Sequence, residues 1–351
     1  MLPKSMKYAL DMSEKHWESW LVEYGYPKYH APIVMNWLYI KQVQDPMLYS
    51  NVPLSLRKTL AETFHWEFPN IDTALLSQDG SEKLLLKLRD GIFSEAVIMP
   101  SENRVTLCIS SQVGCAMACS FCQTGKMGLT RNLSVGEIIA QVTIANKKLF
   151  EKNPSHPKKV TNIVFMGMGE PLDNYENVVE ACKVFLSKKF FGLSKNKVTV
   201  STSGLIPEIA RLGHEVPVSL AISLHSADDI QRSAMMPINK KYSLSALKEV
   251  LLSYPIQTRH GITFEYVMIK GVNDSLLHAK KLVKFVHGLK AKVNLIPMNP
   301  HPGTLMTSSE EESMRAFQKY LSDRSIPAPV RYSRGQDVSA ACGQLAAKRK
   351  E

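Results

Sequence analysis

Six cysteines stand in the chain, and three of them fall within eight residues, Cys115-Ala-Met-Ala-Cys119-Ser-Phe-Cys122. Three thiolates this close can hold three irons of a cubane cluster, which leaves the fourth iron without a protein ligand and open to a small molecule. Zinc is the main competing metal. A structural zinc site takes four ligands, usually as two paired C-x2-C arms, and the sequence has no second cysteine pair. His156, His214 and His225 are distant, and their spacing suggests no ligand set. A trio of buried structural cysteines is the blander alternative. Cys108 lies one strand-turn ahead of the loop. Cys342 lies in a Gly/Ala-rich tail, Ser339-Ala-Ala-Cys-Gly-Gln, whose small residues make the backbone pliable and the thiol accessible, as suits a nucleophile. Cys182, mid-helix in Glu180-Ala-Cys-Lys-Val-Phe, is most simply a packed apolar residue. A reducing compartment turns this cysteine usage away from disulfides and toward metal or redox chemistry.

The elements that must position these residues fall into two styles. Residues 1–72 are mostly helical: Ser13 caps a helix carrying Trp17, Trp20, Leu21 and Tyr24, and further helices are expected over 33–43 and 55–64. Their Trp and Leu positions are core candidates. Residues 73–100 turn to short strands at Thr73–Ser77, Lys83–Leu88 and Phe93–Met99, separated by Asp79-Gly80 and Asp90-Gly91 turns. From residue 104, β-rich runs at 104–110, 160–167, 197–202, 217–224, 261–269, 291–297 and 328–333 alternate with helices that include 134–150, 174–188, 243–254, 275–288 and 309–323. That alternation implies parallel strands joined by right-handed crossovers. A full or partial (β/α) barrel and an open doubly wound sheet both fit, and both put chemistry at the C-terminal ends of the strands.

With 351 residues the chain can hold one large α/β domain and a small accessory one. No stretch approaches the roughly 20 apolar residues of a membrane-spanning helix. Met1-Leu-Pro-Lys-Ser-Met-Lys lacks the apolar run of a secretory signal, so a cytoplasmic location without a membrane partner is expected. Residues 1–100 hold 10 Lys/Arg against 12 Asp/Glu, whereas the remainder holds 33 against 20, a net of +13. Such a basic surface favours a polyanion, and nucleic acid is the natural candidate. On charge alone, a solvated lysine-rich surface fits equally well.

At the cysteine loop the sequence resembles the radical S-adenosylmethionine (SAM) superfamily, whose C-x3-C-x2-C loop holds a [4Fe–4S] cluster with one iron chelated by SAM. Phe121 sits where that family commonly has an aromatic residue. Ser110-Ser-Gln-Val-Gly-Cys115, Arg131-Asn-Leu, Phe165-Met-Gly-Met-Gly-Glu-Pro-Leu172 and Ser201-Thr-Ser-Gly204 are similar to the RlmN/Cfr subgroup of RNA methyltransferases. So are Ser223-Leu-His225, Met236-Pro-Ile-Asn-Lys-Lys-Tyr242, Asn294-Leu-Ile-Pro-Met-Asn-Pro300 and Ala340-Ala-Cys-Gly-Gln-Leu345. The likeness runs from about residue 80 to 346 in motif order. It implies an α/β fold: a partial (β/α) radical SAM barrel over 101–336, with a small helical accessory domain at 1–72, a short β-rich connection at 73–100 and a cysteine-bearing tail at 337–351.

The resemblance also implies a chemistry. Cys115, Cys119 and Cys122 would ligate the cluster; Gly169, Glu170, Ser201, Ser223, Leu224, His225 and Asn299 would form the SAM site. The Glu170 carboxylate suits the ammonium of a bound amino acid. Gly167 and Gly169 suit close approach of a ligand to the backbone, although a lone Gly-x-Gly is weak evidence of a nucleotide site. Adenine ring carbons are too electron-poor to attack SAM directly. Cys342 would first take a methyl group from one SAM as a nucleophile. A second SAM, cleaved reductively, would yield a radical that activates the S-methyl group for addition to adenine. Cys108 would then attack the Cys342 sulfur and release the product, with Glu95 removing the ring proton. Two SAM molecules are consumed per methylation, and a reducing electron donor such as flavodoxin or ferredoxin is required. The implied substrates are an adenosine at the peptidyl-transferase centre of 23S rRNA and the tRNA adenosine 3′ of the anticodon, acted on by a monomer. Pro171 follows the RlmN pattern for C2, where Cfr-like sequences that methylate C8 tend to have Ala. Tyr29-His-Ala-Pro and Gln123 depart from the common pattern. A radical SAM enzyme of small molecules and a non-catalytic cluster-bearing RNA-binding protein are the alternatives. Neither accounts for both Cys108 and Cys342.

Overall fold

The computed structural model describes residues 7–256 and 261–347. The start read at Met1–Met6 and the end of the tail segment at 348–351 lie outside the described residues. Helix α1 (Glu14–Glu23) begins where the Ser13 hydroxyl accepts from the His16 amide at 3.2 Å, as expected of a cap. It buries Trp17, Trp20 and Leu21, whereas Tyr24 is exposed and stacks on Trp20. Helix α2 (His30–Tyr39) starts and ends earlier than the expected 33–43. Pro32 is accommodated in its first turn, where no intrahelical donor is lost, and Gln42 at φ +58° lies beyond its end. Helix α3 spans Leu54–Thr63, and Phe64 passes into strand β2 (Phe64–His65), which pairs in parallel with β1 (Lys7–Tyr8). Trp17 packs against Phe64 at 4.7 Å and against Trp66, closing a small aromatic core.

One nine-stranded sheet organises the rest, in the order β13-β12-β11-β10-β9-β6-β5-β4-β3. Strands β3 (Asn70–Leu76), β4 (Glu82–Lys87) and β5 (Phe93–Pro100) form an antiparallel extension that joins β6 (Val105–Cys108). From β6 the strands run parallel: β9 (Asn162–Phe165), β10 (Val198–Thr202), β11 (Ser219–Ser223), β12 (Ile262–Met268) and β13 (Ala291–Pro297). Each of these is laid beside its predecessor with no reversal of direction, which excludes the doubly wound alternative and gives a singly wound partial barrel.

Helices α5 (Val135–Lys152), α6 (Tyr175–Leu186), α9 (Leu244–Ser253), α10 (Leu276–Val286) and α11 (Glu311–Ser322) stand where alternation placed them. Two more, α7 (Ile206–Glu215) and α8 (Asp229–Met235), fill connections the sequence analysis left open. The strand expected at 328–333 reduces to one parallel bridge, Leu295 to Val330. Pro327 and Pro329 accept bonds from Val293 and Leu295 but have no amide to donate, so the ladder cannot continue there. No described helix is long and apolar enough to cross a membrane.

Candidate active site

A hairpin that periodicity did not reveal positions the cysteine loop. Strand β7 (Gln112–Cys115) pairs with β8 (Gly128–Asn132), and the short helix α4 (Gln123–Lys126) packs inside the turn. Gly114 is obligatory here: it has φ +77°, and a Cβ would lie 1.9 Å from the Gly128 carbonyl oxygen. A Cβ on Gly125 would sit 3.0 Å from the Cys119 nitrogen, so the loop folds tightly back on itself. Cys115, Cys119 and Cys122 all line a cleft of about 920 Å³ at the C-terminal ends of the parallel strands. Among the described residues no three His, Cys, Asp or Glu side chains gather closely enough to hold one ion. Thiols that share a cleft without converging on one point fit separate corners of a cubane better than one tetrahedral zinc. Burial pushes the Cys115 thiol up to about 12, with Glu170, Cys122 and Asp173 adding to the rise. Burial also raises Cys119, against the opposing pull of the Arg232 guanidinium. Ligation to iron would replace those protons.

The opposite wall carries most of the residues expected around SAM. Gly169, Glu170, Ser201, Ser223, His225 and Asn299 line the same cleft. The Glu170 carboxylate is buried, accepting from Ser203 N at 2.7 Å and Leu172 N at 3.1 Å. Burial raises its pKa while these donors oppose the rise, and no lysine or arginine pairs with it among the described residues. A buried carboxylate on a cleft wall without a countercharge fits the amino group of an amino-acid ligand. His225 holds φ +56°, and its Nδ1 accepts from Val267 N at 3.0 Å. Burial, with Arg232 nearby, lowers its pKa to about 3, so the ring is neutral with its hydrogen on Nε2. Its edge meets Phe121 at 4.7 Å, tying the SAM wall to the cysteine loop.

Three expectations are modified here. A Cβ at Gly169 or Gly167 would meet Gln112 or the Ile109 carbonyl, so internal packing also requires glycine at these cleft-lining positions. The Leu224 side chain is wholly buried in the main core, leaving only its backbone near the cleft. Asn299 donates to Ser333 Oγ at 2.8 Å and to the Cys342 carbonyl at 3.0 Å, so its amide already holds the tail.

That tail is anchored rather than pliable. Asp337 accepts from Ser77 Oγ at 2.6 Å, Lys83 Nζ reaches the Ser339 carbonyl, and Gln123 N donates to Gly343 O at 2.7 Å. Cys342 is exposed and opens onto both the first cleft and a second one of about 1570 Å³. Protein atoms crowd its other sides and raise the thiol pKa, with Cys108, Cys122 and Glu265 adding to the rise. Cys108 lines the second cleft from β6, buried against Val97, Val338 and Ala340, and burial pushes it up to about 12. Cys182 is buried in α6 as expected. Glu95 lines neither cleft: it is 1% exposed, pairs with Lys83 at 3.2 Å and accepts from Ala346 N at 3.0 Å. The expected base is therefore a clasp on the tail in this structure.

Around the second cleft stand Arg104, Lys197, Lys292, Arg331 and Arg334. Among the described residues only Arg334 of these has a carboxylate within ion-pair distance, Asp79 at 3.7 Å. Two residues the sequence analysis missed also belong here. Arg232 is fully buried and donates to the Ser203, Ser223 and Leu224 carbonyls and to Asn239 Oδ1, stapling the ends of β10 and β11. Glu265 on β12 lines both clefts, its Oε1 accepting from Asn294 Nδ2 at 2.9 Å. A lone charge inside the apolar run Ile262–Met268 was the available signal, because a buried charge in a central strand needs a reason.

Comparison with known proteins places this geometry. Residues 109–283 match the radical SAM superfamily, and residues 9–65 match the N-terminal domain of ribosomal RNA large subunit methyltransferases. The dual-specificity RNA methyltransferase RlmN of a Nitratiruptor species is 44% identical, covering 98% of each chain. That of an Anaeromyxobacter species is 46% identical over 92% of this chain and 86% of its own. A crystal structure of a radical SAM methyltransferase from Sphaerobacter thermophilus superposes with a TM-score of 0.90 at 40% identity, covering 97% of this chain and all of the other.

Proposed function

Because the chain belongs to the RlmN family of radical SAM RNA methyltransferases, we propose that it methylates C2 of an adenosine in 23S rRNA and of the tRNA adenosine 3′ of the anticodon. The observation that carries this reading is the shared position of Cys342, which lines one cleft with the cysteine loop and the other with Cys108. Neither cluster storage nor simple RNA binding has a use for that arrangement. When bound, the [4Fe–4S] cluster and SAM supply the methyl group and the reductive cleavage that begins the radical chemistry.

The chain's own residues divide the remaining work. Cys115, Cys119 and Cys122 hold the cluster, and Glu170 receives the amino group of SAM. Ser201, Ser223 and His225 complete that wall. Cys342 carries the methyl group to adenine, and Cys108 resolves the bond from the second cleft. Arg104, Lys197, Lys292 and Arg331 at the second mouth, which have no ion-pair partner among the described residues, suit RNA phosphates. Glu95 can act as the ring base only after Ala346 leaves its carboxylate, so base action and tail movement are one event. Pro171 opens the turn that presents Leu172 N to Glu170, in keeping with C2 over C8. The enzyme works in the cytoplasm with a flavodoxin- or ferredoxin-type donor, as a monomer whose N-terminal helices grip RNA.

Cys108→Ala should accumulate protein covalently joined to RNA through Cys342, a nuclease-sensitive shift on a denaturing gel. Cys342→Ala should give neither adduct nor product. Nucleoside mass spectrometry of 23S rRNA and tRNA should show 2-methyladenosine. Methylation by Cys342→Ala, or 8-methyladenosine as the product, would refute the reading.

A further inference from the structure

The first chemical step has an unassigned proton. For Cys342 to take a methyl group its thiol hydrogen must leave, and its surroundings disfavour the free thiolate. The cleft residues narrow the acceptor. Glu170 is committed to two amides, and His225 already carries its hydrogen on Nε2 because Nδ1 accepts from Val267. Glu95 lines neither cleft and Cys108 is itself a protonated thiol. Glu265 is the carboxylate that shares both clefts with Cys342, and its charge adds to the rise of the thiol pKa.

We propose that Glu265 accepts the thiol proton of Cys342 as that sulfur takes its methyl group from SAM. The Cys342 S–C bond forms as the methyl–sulfonium bond breaks, and the electron pair of the broken bond stays with the departing sulfur. The thiol proton passes to the Glu265 carboxylate, and S-adenosylhomocysteine leaves.

The strand framework suits this task. Glu265 is 6% exposed, flanked in register by Ser223 of β11 and Asn294 of β13. Asn294 holds Oε1, while no donor is paired with Oε2 among the described residues. Lys292 of β13, Arg331 of the segment after α11 and Cys342 of the tail line the second cleft with it. Arg104, Lys197, Tyr332, Arg334 and Cys108 complete the charged and titratable lining of the second cleft. Burial raises the carboxyl to about 7, against the pull of Asn294, Lys292 and Arg331, which suits a group that must take up and release a proton near neutrality.

The proposal rests on Cys342 being the methyl acceptor, so the experiment reads that first. Cluster-reconstituted full-length protein is incubated with SAM without reductant, and the Cys342 peptide is followed by mass spectrometry. Wild type should become S-methylated at a rate that rises with pH through the Glu265 titration, since only the ionised carboxylate accepts. Glu265→Gln should be slower by about 10²-fold, the scale of a lost general base, and should lack that rise. Iodoacetamide alkylation of the same cysteine reports access and thiolate content alone. It should be as fast or faster in Glu265→Gln, because removing a neighbouring negative charge eases thiolate formation. Equal methylation rates in the two proteins, or methylation and alkylation slowed together, would overturn the proposal. Absence of S-methylation in the wild type would instead refute the acceptor role, and the proposal with it.

Discussion

Replacing Glu170 by Gln exchanges one oxygen for an NH2 group, and the structure fixes where the conflict falls. Both carboxylate oxygens accept from backbone amides, Ser203 N at 2.7 Å and Leu172 N at 3.1 Å. A Gln must turn its own donor toward one of them, and the longer bond to Leu172 is the one given up. That loss costs about 1 kcal/mol, offset by relief of the burial that raises the carboxyl pKa, so the thermal unfolding midpoint should hardly move. The ligand loses more. A charge-assisted bond to the SAM amino group contributes about 1.5–3 kcal/mol, equivalent to ~10- to 150-fold in Kd. Calorimetric titration of reconstituted protein should show S-adenosylhomocysteine weakened by that factor. 5′-Methylthioadenosine keeps the nucleoside but lacks the amino acid, and its affinity should be unchanged. If both ligands weakened equally, Glu170 would act by shaping the turn at Leu172 and the strand end at Ser203, and its assignment to the amino group would be wrong.

Reconstituted protein should carry about four irons and four sulfides, and alanine at Cys115, Cys119 or Cys122 should each abolish the brown absorbance; one zinc and no iron in active protein would refute the cluster. RNA affinity should fall steeply with salt, and neutralising Arg104, Lys292 and Arg331 together should flatten the slope by about 0.7–0.9 for each phosphate no longer neutralised. A salt-independent affinity would mean that the second mouth does not meet RNA.

What was legible in the sequence was local. The cysteine loop carries its chemistry within one turn of chain, the Ser13 cap is a three-residue relation, and strand–helix alternation needs only neighbouring periodicity. Glu265 and Arg232 were missed because their partners come from other strands: Glu265 meets Asn294 across β12 and β13, and Arg232 bridges β10 and β11. The burial of Glu95 was hidden from the sequence for the same reason. Its strand Phe93–Pro100 has buried residues at successive positions, because the tail covers the face that alternation leaves open to solvent. The strand expected at 328–333 failed on the prolines at its start. The choice between barrel and doubly wound sheet was undecidable until strand order was known.

Much of the tail is fastened to residues made long before it. Asp337 meets Ser77 and Gln78, Gly335 meets Asp79, Ser339 meets Lys83, and Ala346 meets Glu95, each across about 250 residues of chain. The antiparallel extension β3–β5 is thus a berth that stays empty while the barrel is being synthesised. A nascent chain that has produced the cysteine loop and all the parallel strands still lacks Cys342, the sulfur proposed to receive the methyl group. With that role for Cys342, the connectivity makes reactive capacity wait on the docking of the tail.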